Sequence, residues 1–448
     1  MNHHINEQKP NIFHKIRRSL IGAPKDVRQP SIFHKLSLIP ILAWIGLGAD
    51  GLSSSSYGPD EAFRTLGEHT YLAIFLAIGT ALTVLIISYA YSRIIEHFPH
   101  GGGGYIVSTH TISKTAGVIS GSALLVDYML TIAVSLVSCG DAIFSFLPLY
   151  LQKYKLMFVA FLIILLVIFN LRGVKESVSM LAPIFIIFVV THALLIGYGI
   201  LTHTGQIKPL VHEVSSNLKN GVATLGFLGV LGIFLRAFSM GAGTYTGIEA
   251  VSNGMQIMRE PRVHTGKRTM VYLASSLAIT AGGLLVCYLL FRISPADGKT
   301  LNAILAGEVF SNWPMGGTIA LITILSEGAL LVVGAQTGFI DGPRVMSNMA
   351  IDSWLPRRFA SLSERLTMQN GVILMGVAAI ILLLYTGGSI TALVIMYSIN
   401  VFVTFSLSQY GMIRFFQKNR ERDTKWKQHI IIHIIGLILC LTILCVTI

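Results

Sequence analysis

The sequence predicts an all-α integral membrane bundle in which two five-helix repeats are inverted relative to one another. Three observations carry that expectation. Hydrophobic residues make up 53% of the 448-residue chain and only 12% are charged, with a mean hydropathy of +0.69, whereas a soluble domain carries about twice that share of charge. About eleven apolar stretches approach the roughly 20 residues that cross a bilayer: approximately 36–66, 70–92, 116–147, 156–171, 179–202, 225–258, 269–292, 316–343, 371–386, 389–413 and 429–448. The first and the sixth, five apart in order, are interrupted by glycines and hydroxyl residues. Hydrocarbon satisfies no free N–H or C=O group, so a break at membrane depth has to line a cavity or a water path. Two such breaks, five apart, are what inverted repeats produce, and they mark a midplane site between the halves of a LeuT-like transporter.

Charge sets the expected orientation. About 25 of the 33 Lys and Arg residues fall in the segments on the N-terminal side, which places the N-terminus in the cytoplasm and the chain in the inner (plasma) membrane. Residues 1–35 are polar and basic without an apolar core followed by a small-residue cleavage site, so they read as a cytoplasmic segment. The first span then doubles as the insertion signal, and residues 36–448 form the polytopic transporter domain. The net charge of +12 follows from this bias and from contact with anionic headgroups; no nucleic-acid partner is needed to explain it. Cys139, Cys287, Cys440 and Cys445 lie in apolar segments with no metal-type spacing, so neither a structural disulfide nor zinc is expected.

In chain order, the first break reads GLGADGLSSSSYGPDEA, Gly46 to Ala62. It holds Asp50, Ser53 to Ser56 and Tyr57; the competing reading is a kinked helix whose serines bond back to their own carbonyls. The loop HFPHGGGGYIVSTH, His97 to His110, lacks the Lys-Ser or Lys-Thr of a phosphate loop. Its glycines predict a tight cytoplasmic re-entry, and His97, His100 and His110 lack the acid or cysteine companions of a metal site. In the third span Asp127, Thr131, Ser135 and Ser138 recur at intervals of 4, 4 and 3, which puts them on one helical face. An acid within a span marks an ion or proton path, while hydroxyls alone serve as interhelical glue. The second break, RAFSMGAGTYTGIEAVSNG (Arg236 to Gly254), brings Thr244 to Thr246 and Glu249 between glycines. Arg236 is expected to pair with an acid in an outer vestibule or to snorkel. Glu327 in the eighth span reads either as a proton site or as a hydrogen-bonded structural acid, and Asp341 as solvated near the cytoplasmic end. In the tenth, Tyr397 and Asn400 share a face, and a tyrosine at that depth needs a partner for its hydroxyl.

Gathered together, Asp50, Tyr57, Asp127, Tyr128, Ser135, Thr246, Glu249 and Tyr397 make an oxygen-rich set with three carboxylates and no lysine or histidine. Such a set suits a hard, weakly hydrated monovalent cation. Crowded acids in a low-dielectric site cannot all stay ionised, so at least one is a candidate proton carrier. An amino-acid carboxylate held by exposed amides at a half-helix N-terminus would be repelled by Asp50, whereas an amine or polyamine stays open. No nucleophile elbow, metal triad or nucleotide loop is present, so no enzymatic activity and no catalytic residue are expected.

The stretches ADGLSSSSYGP (Ala49 to Pro59), FPHGGGGYIVS (Phe98 to Ser108), LLVDYMLTIAVS (Leu124 to Ser135), NLRGVKESVS (Asn170 to Ser179) and RAFSMGAGTYTGIEAVSN (Arg236 to Asn253) resemble the amino acid-polyamine-cation (APC) superfamily. Within it they are similar to the KUP-type potassium uptake permeases, and most closely to the KimA-type potassium-proton symporters. The resemblance implies proton-coupled potassium import by alternating access, without a cofactor. It further implies that the broken helices bind potassium through Asp50, Tyr57, Asp127, Thr246 and Glu249, with Tyr128, Ser135 and Tyr397 in the ion path. The alternative within the superfamily is a proton-coupled permease for an amino acid or an amine. KimA-type importers also carry a twelfth span and a cytoplasmic C-terminal domain for dimerisation and cyclic di-AMP binding. The sequence stops in its eleventh span, so a homodimer and nucleotide regulation are not carried over; the expected partners are membrane lipid and a monovalent cation.

Overall fold

A computed structural model describes residues 38–101, 103–172, 178–363, 367–421 and 425–448. The expected N-terminal cytoplasmic segment, residues 1–35, and the middle of the NLRGVKESVS motif lie outside the described residues. Among those described, the regular structure is helical, and extended pairing is limited to an isolated bridge between Leu38 and Met258. Ten helical stretches among the described residues are long and apolar enough to cross a membrane. The first apolar segment is missing from that number for a physical reason. A 3-10 turn over Ser54–Ser56 divides it into α1 (Pro40–Ser53), of 14 residues, and α2 (Gly58–Thr65), of 8, each too short to span alone. Both halves start on proline in the first turn, where the missing N–H costs nothing, and α2 adds Asp60 and Glu61 at its positive end.

The chain continues through α3 (Ala73–His97), α4 (Gly103–Thr111), α5 (Lys114–Phe144), α6 (Lys155–Arg172), α7 (Val178–Thr202), α8 (Ile207–Met240), α9 (Ala250–Asn253) and α10 (Arg262–Leu290). It closes with α11 (Leu301–Val309), α12 (Gly316–Ile351), α13 (Gln369–Thr386), α14 (Ile390–Lys418) and α15 (Trp426–Thr447). Rim helices expose apolar side chains such as Phe161, Ile164, Ile381 and Leu384, as a lipid-facing surface must. The polar stripe of α5 is turned inward, with Asp127, Thr131, Ser135 and Ser138 all buried.

Packing follows the inverted repeat. The second segment, α3, packs on the seventh, α10; the third, α5, packs on the eighth, α12. The two broken segments pack on each other in opposite directions. Leu38, before α1, exchanges backbone hydrogen bonds with Ile257 and Arg259, beyond α9 (2.9 and 3.0 Å). Gly58, after the first break, sits against Thr244 within the second.

Three elements differ from the sequence expectation. The sixth segment starts earlier than residue 225: α8 is 34 residues long, with a kink at Gly226 (φ 74°, ψ 163°), a conformation that glycine adopts without penalty. Before the kink, Leu210, Val214, Leu218 and Val222 pack on the core at every fourth position. That arm is amphipathic rather than uniformly apolar, so a search for spans passes over it. The re-entry after the glycines is a helix, α4, tied down where Tyr105 donates to Asp352 Oδ2 (2.5 Å). The loop between the seventh and eighth segments holds α11 at the opposite end of the bundle. These two short helices mark opposite faces of the bundle, the α4 face and the α11 face.

Candidate functional site

At the first break three of the four serines bond back to the turn that precedes them. Ser53 Oγ donates to Asp50 O (2.8 Å) and Ser55 Oγ to Leu52 O (2.6 Å). Ser54 Oγ lies 2.5 Å from Gly51 O and 3.0 Å from Thr244 O, bridging the two breaks. Ser56 Oγ is buried with no partner among the described residues. Both readings of this stretch therefore hold at once: the helix is broken, and its serines occupy carbonyls that the break leaves open.

The second break turns more sharply. A 3-10 turn over Gly241–Tyr245 leads to Thr246 in an extended conformation (φ −72°, ψ 158°) and then to Gly247 at φ 76°. A Cβ at Gly247 would stand 2.5 Å from Gly51 N. The two breaks thus meet backbone to backbone, an approach that a side chain at Gly247 would prevent.

This contact gathers the expected residues. Asp50, Asp127 and Glu249 are 4%, 1% and 2% exposed, and Asp127 and Glu249 face each other carboxyl to carboxyl. The Tyr57 hydroxyl sits against those of Thr246 and Tyr397. Thr131 Oγ1 lies 3.0 Å from both Tyr397 OH and Asp127 O, which gives Tyr397 the partner its burial demands. Tyr128 OH accepts from Asn253 Nδ2 (2.7 Å), tying α5 to the end of α9. Ser135 Oγ has no partner among the described residues and opens toward Gly334, where a Cβ would lie 3.6 Å from it and 2.4 Å from Ser53 Oγ. Asp127 Oδ1 and Glu249 Oε2 are likewise buried without a partner. The charged neighbours of the three acids are other acids: Glu249 and Asp341 for Asp50, Glu249 and Asp50 for Asp127, and Asp341 for Glu249, whose carboxyl is also reached by the backbone N–H groups of Gly247 and Glu249. A buried carboxylate oxygen without a donor is costly, so the cluster is built to be completed by a cation or a proton.

One expectation is corrected. Asp341 is not solvated: it is 2% exposed, with Oδ1 bound by Arg344 Nη1 (2.9 Å) and Oδ2 unpartnered among the described residues. The reason is that α12 continues through Pro343 to Ile351, leaving Asp341 nearly three turns inside the helix. There it is an electrostatic neighbour of Asp50 and Glu249, a fourth acid that sequence reasoning missed. The signal was available, because Gly334, Gly338 and Asp341 share a face at intervals of 4 and 3. Arg236 is exposed and forms no ion pair with an acid among the described residues. Glu327 is buried apart from the cluster, where it accepts from Asn302 and meets His192.

Residues 43–448 match the amino acid permease family. The chain belongs to that family. It is 34% identical to the potassium transporter KimA of Bacillus subtilis strain 168 over 438 residues, 97% of this chain and 70% of that protein. It is 21% identical to the low-affinity putrescine importer PlaP of Escherichia coli K12 over 369 residues, 78% of this chain and 74% of that one. Among solved structures, MhsT in complex with L-phenylalanine superposes with a TM-score of 0.57 at 15% identity, covering 91% of this chain and 98% of that chain. A substrate-bound, outward-open Na+-coupled sialic acid symporter gives 0.54 at 12%, covering 92% and 90%. The fold is therefore that of LeuT-type transporters, and this amino acid permease family member is a multi-pass secondary transporter. These matches give no support to a KUP-type grouping.

Proposed function

We propose that this permease imports potassium in symport with protons by alternating access, with the α4 face in the cytoplasm and the α11 face outside the plasma membrane. One observation carries the proposal: three buried acids from three segments converge among hydroxyls, two of their oxygens lack any partner among the described residues, and their charged neighbours are acids. Asp50, Tyr57, Asp127, Thr246 and Glu249 supply the oxygens that replace the hydration shell of a weakly hydrated monovalent cation. Tyr128, Ser135 and Tyr397 line its path. Asp127 and Glu249, carboxyl against carboxyl beside Asp50, cannot all be ionised together, so one of the facing pair carries the coupled proton. The second break, where Thr246 and Gly247 leave the helical region, is the place where a half-helix can tilt without breaking a regular hydrogen-bond ladder. The likeness to KimA supports potassium as the cargo.

Rubidium uptake into proteoliposomes, with and without an inward pH gradient, tests this. Uptake accelerated by the gradient and lost in Asp50→Asn and Glu249→Gln is expected; uptake equal to the parent in both variants sinks the proposal. The likeness to the putrescine importer favours one other reading, a proton-coupled permease for a cationic amine, since the same acids would hold an ammonium group. Competition by diamines with no rubidium uptake is its signature.

A further inference from the structure

Glu327 lies outside the acid cluster, yet it is 1% exposed, and its partner His192 is 2% exposed. His192 Nδ1 stands 3.1 Å from Phe188 O. A carbonyl oxygen only accepts, so Nδ1 carries a hydrogen and Nε2 is left to face Glu327 Oε2 at 3.4 Å. A hydrogen must then lie between ring and carboxyl, on one or the other. Without it two lone pairs oppose each other in a buried site. The pair thus holds one proton in this geometry.

The same carboxyl oxygen is a latch for α11. Glu327 Oε2 accepts from Asn302 Nδ2 (3.0 Å), and the Tyr288 hydroxyl donates to Asn302 Oδ1. Asn302 is 0% exposed. Nearby, Asp60 Oδ2 accepts from Leu301 N (2.7 Å) and Arg64 Nη2 donates to Lys299 O (2.9 Å), so the start of α11 is tied to both α2 and α12. Beside this tie lies a cavity of about 350 Å3 that Glu327 lines together with Ser56, Tyr57, Ser138 and residues 296–300, the loop that leads into α11. The hydroxyls of Ser56 and Ser138 are buried there without a partner among the described residues.

We propose that the His192–Glu327 pair is a proton-binding site separate from the acid cluster, and that the proton it holds keeps the start of α11, and with it the 296–300 loop that lines the cavity, latched in place. The other titratable groups around Glu327 and its cavity are Tyr57 at the first break, Asp60, Glu61 and Arg64 on α2, Cys139 and Asp141 on α5, Lys155 on α6, Tyr288 on α10, and Asp297 and Lys299 in the loop before α11. Asp60 pairs with Arg64 and Asp141 with Lys155, and a thiol and a phenol are uncharged in their ordinary states near neutrality. Glu61 accepts from Thr391 Oγ1 (2.9 Å) and Asp297 and Lys299 are exposed, so the latch turns on the one proton that the geometry places between His192 and Glu327, and on its loss. It leaves a carboxylate against a ring lone pair, and relief by movement of Glu327 toward the cavity breaks its bond to Asn302. Protonation from the α11 face closes the lid; deprotonation releases it.

The test reads lid position in lipid nanodiscs, with both faces in buffer, so neither cargo nor orientation enters. Spin labels are placed at Gly307→Cys on α11 and Tyr385→Cys on α13, both exposed. The background is Cys445→Ser, the other three cysteines being buried. In the parent a short inter-label distance dominates at low pH, and a longer population grows as pH rises, by up to about tenfold in ratio per pH unit for a single proton. Glu327→Gln removes the titrating carboxyl while its amide oxygen still accepts from Asn302 Nδ2, so it keeps the short distance at every pH. His192→Gln likewise abolishes the pH dependence, and Asn302→Ala shows the longer distance throughout. A parent distribution that ignores pH, or shifts in the opposite direction, overturns the proposal. So does a pH curve in Glu327→Gln and His192→Gln that follows the parent. Rubidium uptake is not part of the readout, so the potassium proposal and this one fail independently.

Discussion

The two breaks at the centre of the molecule do the same topological job by different chemistry. The first stays in the right-handed helical region throughout, from Ser54 (φ −65°) to Tyr57 (φ −118°, ψ −30°), and serine hydroxyls occupy the carbonyls of Asp50, Gly51 and Leu52. It is a tightened turn whose backbone oxygens are already bonded, so it contributes to the site through the side chains of Asp50 and Tyr57. The second leaves the helical region at Thr246 and Gly247, and resumes as a helix of only four residues before another 3-10 turn, Gly254–Ile257. One half of the site is a hydrogen-bonded, stiff carrier of side chains; the other departs from the helix and, under the proposed alternating access, is the hinge. An inventory of oxygens by residue type misses this, because four serines count as four ligands until their hydrogen bonds are known.

The largest expected effect tests whether both breaks deliver an essential acid. Hydrogen bonds to a charged group are worth roughly 1.5–3 kcal/mol, so Glu249→Gln and Asp50→Asn should each lower rubidium uptake by about 10- to 100-fold while the thermal unfolding midpoint in detergent is maintained. If only one variant loses uptake, the site belongs to one half. Next comes the hinge. Gly247→Ala places a Cβ 2.5 Å from Gly51 N in a left-handed conformation that costs about 1–2 kcal/mol by itself, so the unfolding midpoint should fall by several degrees and uptake should fall with it. Gly51→Ala, on the stiff side, meets chiefly the flexible end of Leu273 at 2.8 Å and should do less; equal losses would erase the asymmetry. Tyr57→Phe removes the hydroxyl that joins the first break to Thr246 and Tyr397. At about 0.5–1.5 kcal/mol for a neutral hydrogen bond, it should raise the half-saturating rubidium concentration by about 2- to 10-fold with little change in maximal rate. The smallest effect is expected for Ser53→Ala and Ser55→Ala, whose back-bonds stabilise a helix little. Uptake within about twofold of the parent is the outcome that fits bonded hydroxyls, whereas a loss comparable to Asp50→Asn would mean that those hydroxyls reach the cargo.

Much of this was legible without coordinates. The apolar segments, the two breaks five apart and the inward stripe of Asp127, Thr131, Ser135 and Ser138 all follow from constraints that act within one segment. In lipid each helix must satisfy its own backbone, so length, glycine content and a period of 3.6 residues are written locally. The amphipathic arm of α8 was passed over because its period-four stripe is short of the hydropathy a span requires. The burial of Asp341 was missed because it depends on how far α12 runs and on what packs beside it. Nothing local paired His192 with Glu327, 135 residues away, or bonded three serines to their own turn while leaving Ser56 without a partner among the described residues. By itself, the sequence determined an all-helical membrane protein with two broken segments and the acids they carry. Only the tertiary structure decided which side chains meet and which hydroxyls are already bonded, because helix rotation and tilt are set by many small packing contacts between segments distant in sequence, and none of these is encoded in any one segment.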